Sequence, residues 1–288
     1  MTQNNTRRGI LLMVLFTVIM AIMDALSRHL ASEYNVLMVV MIRYWFLLLL
    51  VVGLAASKAG GIRRVARTQQ PKLQIFRGFI LAAEICVMVL AFTLLGLVQS
   101  HAVFVSYPLL IAALSGPLLG EAVGWRRWSA IAFGFLGVIV ILQPGSGVFQ
   151  LSALVPLLAA LMFALYGLLT RYVSREDSSE TSFFYMGVVG FVVLTPLGLW
   201  QWQPMIAADW GWMAALAVAG ALGHWVLIKC YEAAEASAVQ PFAYLQLPVA
   251  AIFGLAIFGE TLAVNVAIGA AIVVGAGLFT LWRERLQR

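Results

Sequence analysis

Ser27-Arg28-His29-Leu30-Ala31-Ser32-Glu33 returns later in the chain as Thr170-Arg171-Tyr172-Val173-Ser174-Arg175-Glu176. Pro108…Leu119-Gly120-Glu121 returns as Pro248…Phe258-Gly259-Glu260. Each return comes about half of the 288-residue chain later, so the sequence reads as one unit written twice. What each unit contains follows from composition. Hydrophobic residues make up 63% of the chain and charged residues 10%, too little polar surface for a water-soluble domain of this length. Lipid is the solvent for most of it.

Apolar runs of spanning length lie near residues 9–30, 36–56, 75–96, 99–119, 124–142, 151–172, 181–200, 210–231, 237–258 and 262–282. Gly60-Gly61 and Pro144-Gly145-Ser146-Gly147 punctuate them. A nine-span alternative merges 75–96 with 99–119, but Leu95-Gly96-Leu97 interrupts that stretch and its combined length exceeds one bilayer. The expected fold is therefore all-α and membrane-integral, with ten transmembrane helices in two five-helix units, 9–142 and 151–282. The segments 1–8 and 283–288 are tails. An odd number of spans per unit inserts the second copy upside down, the inverted-topology repeat that builds a site able to open to either side. The first run is longer than a signal-peptide core and lacks a small-residue cleavage site, so it is expected to remain as the first span.

The net charge of +6 does not point to nucleic acid, because the cations flank apolar runs. One set of connections holds Arg7, Arg8, Lys58, Arg63, Arg64, Arg67, Lys72, Arg77, Arg126, Arg127, Arg171, Arg175, Lys229, Arg283, Arg285 and Arg288; the other holds Arg28. Cations collect on the cytoplasmic side, which puts both termini there and predicts a bacterial inner (cytoplasmic) membrane protein. Most tryptophans fall near span ends, as an interfacial belt does, whereas Trp225 sits inside the eighth span. Cys86 and Cys230 lie in apolar runs and read as small hydrophobes.

Pro108 and Pro117 interrupt the fourth run, and Pro241 and Pro248 interrupt the ninth. Paired interruptions in two halves mark a hinge or a central site, although membrane helices also tolerate proline. Ala130, Gly134, Gly137, Gly269, Gly275 and Gly277 give the fifth and tenth runs small faces for close packing, between the repeats or between protomers.

The Ala-rich fourth and ninth runs with mid-helix proline, their closing Leu-Gly-Glu and Phe-Gly-Glu, and Arg43 in the second run resemble the EamA repeat of the drug/metabolite transporter superfamily. The resemblance covers the whole chain and is nearest to the YddG-type amino-acid exporters. It implies two inverted bundles around a cavity lined by spans one, three, four, six, eight and nine. It also implies export of metabolites without ATP, and no nucleotide-binding Gly-rich loop contradicts that.

Ionisable groups at bilayer depth are costly, so each is a candidate. Asp24 and Arg43 read either as an ion pair joining two helices or as cavity groups. Glu84 in the third run would bind an ammonium group or a proton, or hydrogen-bond a neighbouring helix. His224 is deep enough for the cavity. Trp225 and Lys229, one turn apart, would suit an amphipathic substrate, with Lys229 alternatively reaching the surface. Tyr107, Tyr166, Tyr244 and Gln246 offer hydroxyl and amide groups to substrate or to neighbouring helices. His101 reads as a gate residue or as interfacial, and Glu121 and Glu260 as structural groups compensating helix N-termini or loop amides.

The expected protein is a secondary transporter exporting amino acids by alternating access, monomeric or homodimeric, with a small-molecule substrate and lipid as its partners. Other metabolites or cationic drugs are the alternative cargo. A phosphate-bearing substrate would need more cations than Lys229 near mid-membrane. Hydrolase motifs, filter-like segments and metal-ligand clusters are absent from the sequence, so neither enzyme, channel, metal nor cofactor is expected.

Overall fold

The computed structural model describes residues 5–120, 125–142, 151–234 and 236–285, and all of their regular structure is helical. The helices are α1 (Thr6–Glu33), α2 (Val36–Ser57), α3 (Gly61–Val65), α4 (Pro71–Phe104), α5 (Tyr107–Leu119) and α6 (Trp125–Leu142). They continue as α7 (Leu154–Val173), α8 (Ser179–Trp200), α9 (Asp209–Ala233), α10 (Ala236–Ala243), α11 (Gln246–Phe258) and α12 (Val264–Arg285). Six are long and apolar enough to cross a membrane: α1, α2, α4, α7 with the turn before it, α8 and α9. Shorter apolar helices lie at 107–119, 131–141, 246–258 and 264–276.

Local chemistry sets several starts. Asn5, Asn35 and Ser178 accept hydrogen bonds from the backbone N–H groups of Arg8, Leu37 and Thr181, occupying donors that the first turn leaves free. Pro71 opens α4, where its missing N–H costs nothing.

The fourth and ninth runs differ from simple spans. The fourth begins inside α4, directly after Gly96, whose backbone (φ 78°, ψ 177°) breaks the helix without a loop. It then breaks again at Val105-Ser106 before α5, and the ninth breaks at Tyr244-Leu245 between α10 and α11. Around both breaks the bonding tightens to three-residue spacing: Ser106 N–H to Val103 O (3.1 Å), Leu109 N–H to Ser106 O (3.0 Å) and Leu247 N–H to Tyr244 O (3.2 Å). Pro108 and Pro248 follow immediately and lack the N–H that would reach the carbonyls of Phe104 and Tyr244. Pro117 lies in the last turn of α5, and Pro241 falls within α10.

Packing exchanges the two halves. α1 lies along α9 as α4 lies along α7, α2 packs on α8, and α6 packs on α12. Glycines permit these approaches. A Cβ on Gly190 of α8 would sit 1.9 Å from the Tyr44 ring of α2, and one on Gly137 would sit 2.6 Å from the Gly269 carbonyl. Gly137 and Gly269 thus pack the two halves together at α6 and α12, whereas a Cβ on Gly134 would meet Leu109 of its own half and one on Gly275 would meet no described atom within 4 Å. Glu121 and the side-chain surroundings of Ala130, Pro241 and Gly277 lie outside the described residues.

Arg77 corrects the sequence reading that grouped it with loop cations. It is fully buried in the second turn of α4, bonded to Gln74 (3.0 Å), Thr170 (3.2 Å), Tyr166 (3.4 Å) and the Ser182 carbonyl. Gln74 continues the network to Asp177 (2.8 Å). Buried polar groups thereby join α4 to α7, α8 and the connection between them.

Candidate functional site

Near the middle of the helices lies a narrow cavity of about 20 Å³. Its wall comes from α1 (Phe16, Met20, Met23, Asp24), α4 (Glu84, Ile85, Met88, Val89, Phe92, Phe104), α7 (Phe163), α9 (His224) and α11 (Gln246). Arg43 adds α2 to the helices that the resemblance assigns to the lining. That is room for about one water, so the wall residues stand nearly closed on one another in this structure.

Two polar groups organise the wall. Asp24 Oδ2 accepts a hydrogen bond from Gln246 Nε2 (3.0 Å) and lies 3.2 Å from His101 Nε2. One oxygen therefore joins α1 to the first part of the fourth run and to the second part of the ninth. Arg43 Nη2 lies 3.1 Å from His224 Nε2, joining α2 to α9. Asp24 and Arg43 both face the cavity, each held by its own partners rather than closed upon the other.

Three groups on this wall have bonding capacity left. Arg43 Nη1 and His224 Nδ1 are buried with no hydrogen-bond partner among the described residues. Glu84 is 4% exposed, and no hydrogen bond to its carboxylate is found among the described residues. Buried polar groups in folded proteins are normally satisfied, so these groups have capacity to bond a ligand or a water. The apolar part of the wall is aromatic. Phe16 and Phe163 are nearly parallel with centroids 6.4 Å apart, and Phe104 stands 5.5 Å from Phe163.

Of the sequence candidates, Glu84, His224, Gln246, Asp24 and Arg43 line the cavity. Tyr107 packs edge-on against Phe163 (4.9 Å) behind the wall. Tyr166 serves the Arg77 network and meets His224 edge-on at 6.3 Å. Tyr244 points the other way, into a cluster with Val105, Leu109, Val138 and Val273. Trp225 lines a separate pocket with Phe183, and Lys229 is held by Glu232 at 2.8 Å. His101 corrects the interfacial expectation: it is 2% exposed and packed between Phe92, tilted at 5.4 Å, and Phe104, edge-on at 6.1 Å.

The Gly-Glu motif also has a visible purpose. Gly259 (φ 61°) ends α11 in the left-handed conformation, and Glu260 then reaches the break at Gly96. Its oxygens accept from Leu97 N–H (2.8 Å) and Val98 N–H (2.7 Å), and Arg28 pairs with the same carboxylate.

Comparison with known proteins decides the family. The description "EamA-like transporter family" matches residues 7–143 and again 150–282. The chain belongs to the EamA-like transporter family. A riboflavin transporter of Vibrio cholerae is 30% identical over 98% of this chain and 95% of its own length. A riboflavin transporter of Rhizobium johnstonii is 31% identical over 76% and 72%. An S-adenosylmethionine uptake transporter of Rickettsia prowazekii is 24% identical over 96% and 93%. A crystal structure sharing 17% identity matches with a TM-score of 0.66 over 98% of both chains, which shows the fold alone. This EamA protein is thus a multi-pass membrane transporter of the drug/metabolite superfamily. These relatives bear riboflavin and S-adenosylmethionine names, so they lend no support to the narrower expectation of amino-acid export.

Proposed function

We propose that this transporter carries a flat heterocyclic metabolite with a polar tail, of the riboflavin kind, by alternating access. The observation that carries the reading is the wall itself: Phe16, Phe92, Phe104 and Phe163 beside the free bonding capacity of Arg43, His224 and Glu84. Aromatic faces hold a planar ring through offset or edge contacts. Arg43 and His224 would meet carbonyl or ring-nitrogen acceptors at its edge, and Glu84 would accept from tail hydroxyls. The riboflavin names of two relatives, matched over 98% and 76% of this chain, support the same class.

The architecture suited to this is ten spans in two inverted five-helix repeats, 9–142 and 151–282, with both termini in the cytoplasm. The exchange of helix pairs between halves supports it, as does the basic character of one set of loops. The breaks before Pro108 and Pro248 would let the two bundles rock, with Pro117 and Pro241 softening the ends.

Glu84 and Arg43 favour a second reading. Opposite charges on one wall suit an α-amino acid, either free or as part of S-adenosylmethionine. Uptake into liposomes of the purified protein separates the two. Saturable flux of labelled riboflavin, competed by unlabelled riboflavin and not by amino acids, is expected. Counterflow of S-adenosylmethionine or amino acids with no riboflavin flux would overturn the flavin reading in favour of the second.

A further inference from the structure

A second pocket, of about 220 Å³, opens between α2, α3, α8 and α9. Val51, Leu54, Ala55, Val65, Phe183 and Trp225 make its walls, and the rim carries Lys58 and Glu180. Phe183 and Trp225 close its depth as a tilted pair with centroids 5.1 Å apart. Leu54 is 48% exposed, so the mouth continues onto the lipid-facing side of α2. Neither the cavity chemistry nor the family likeness uses this place.

Lys58 ends α2 and Glu180 lies in the first turn of α8, so both stand where the helices leave the apolar layer. Their charged atoms are 3.8 Å apart, and both side chains are more than one-third exposed. That is a loose pair, each charge keeping room for another partner. An apolar slot beneath one cation and one anion selects an amphiphile with chains below and both charges in its head group.

We propose that this pocket is a binding site for an ethanolamine phospholipid of the adjoining leaflet. Part of an acyl chain occupies the slot against Phe183 and Trp225. The phosphate meets Lys58, and the primary ammonium donates to Glu180, making an alternating set of four charges. A glycerol head group offers nothing ionic to Glu180. A choline head group carries its charge on a quaternary nitrogen with no N–H to donate. Chemistry at the rim therefore separates three lipids whose chains are the same.

Native mass spectrometry of the purified full-length transporter tests this, with palmitoyl-oleoyl phosphatidylethanolamine, phosphatidylcholine and phosphatidylglycerol offered together. Retained ethanolamine lipid is expected to exceed each of the others by about fivefold, the scale of an exposed charged contact. Glu180→Gln should abolish the preference over phosphatidylglycerol while leaving retention of the latter unchanged. Lys58→Gln should lower both. Both positions are exposed enough for the variants to fold, and Ala55→Phe, which fills the slot, should lower retention of all three. Equal retention of the three lipids, a preference for phosphatidylglycerol, or an ethanolamine preference untouched by Glu180→Gln would overturn the proposal.

Discussion

Replacing Glu260 with Ala removes the acceptor on which the break at Gly96 depends. The carboxylate takes two backbone N–H groups, at 2.8 and 2.7 Å, and pairs with Arg28, whose guanidinium also lies 4.1 Å from the Phe258 ring. Its side chain is 12% exposed, so little water is available to replace it. Hydrogen bonds to a charged group contribute about 1.5–3 kcal/mol each, and orphaning a buried charge costs about 3–5 kcal/mol. Since these costs share one carboxylate, roughly 3–5 kcal/mol is the total expected for Glu260→Ala. That corresponds to a drop in melting temperature on the order of 10 °C, read by tryptophan fluorescence in detergent. Gly96→Ala should act through the same contact. Its φ of 78° strains any residue with a Cβ, and that Cβ would stand 2.7 Å from Glu260 Oε1. With Glu260 already removed, the clash is gone and the strain alone remains, about 1–2 kcal/mol. The double variant should therefore be less destabilised than the sum of the singles. A Glu260→Ala protein melting with the wild type, or strictly additive effects, would refute the argument.

Asp24→Asn keeps an acceptor for Gln246 but loses the charge opposite His101; substrate flux is expected to fall at least about tenfold, the effect of roughly 1.4 kcal/mol, as measured in liposomes. Arg77→Lys replaces a planar fork by a point charge and cannot serve Gln74, Thr170 and the Ser182 carbonyl together. A loss of about 3 kcal/mol in stability is expected, visible as a lower melting temperature. Gly190→Ala drives a methyl into the Tyr44 ring, and the overpacking should cost about 1–3 kcal/mol by the same melt; an unchanged melting temperature would mean that α2 and α8 separate freely.

The apolar runs and the repeat were legible because lipid exposure and duplication leave long-range marks on composition. Side-chain direction was harder. Tyr244 and Gln246 flank the break between α10 and α11, so helical spacing could not say which of them faces the cavity. His224 and Trp225 are adjacent, and a rotation of 100° sends one to the cavity and the other to the lateral pocket. Arg77 hid among true loop cations; Pro71 and Gln74 ahead of it were the sign that the helix had already begun. Glu260 read as compensating a helix N-terminus or loop amides, but which amides it serves was not legible, since Leu97 lies 163 residues away, a distance that no local pattern encodes.

The shared use of Asp24 bears on how cargo and movement are linked. Its Oδ2 contacts His101 before the break in the fourth run and Gln246 after the break in the ninth. Relative movement of those two segments cannot preserve both contacts at their present lengths. Arg43, by contrast, is tied to α9 through His224 and has a second nitrogen free for cargo. A ligand shifts the balance of two states only by the difference in its affinity for them. Cargo that bonds equally well to Arg43 in both states therefore moves nothing, whereas cargo that also competes with His101 or Gln246 for Asp24 favours the state in which the clamp has opened. Substrates should divide accordingly. Those with a donor able to reach Asp24 should be carried, and analogues lacking it should occupy the cavity as inhibitors without being transported.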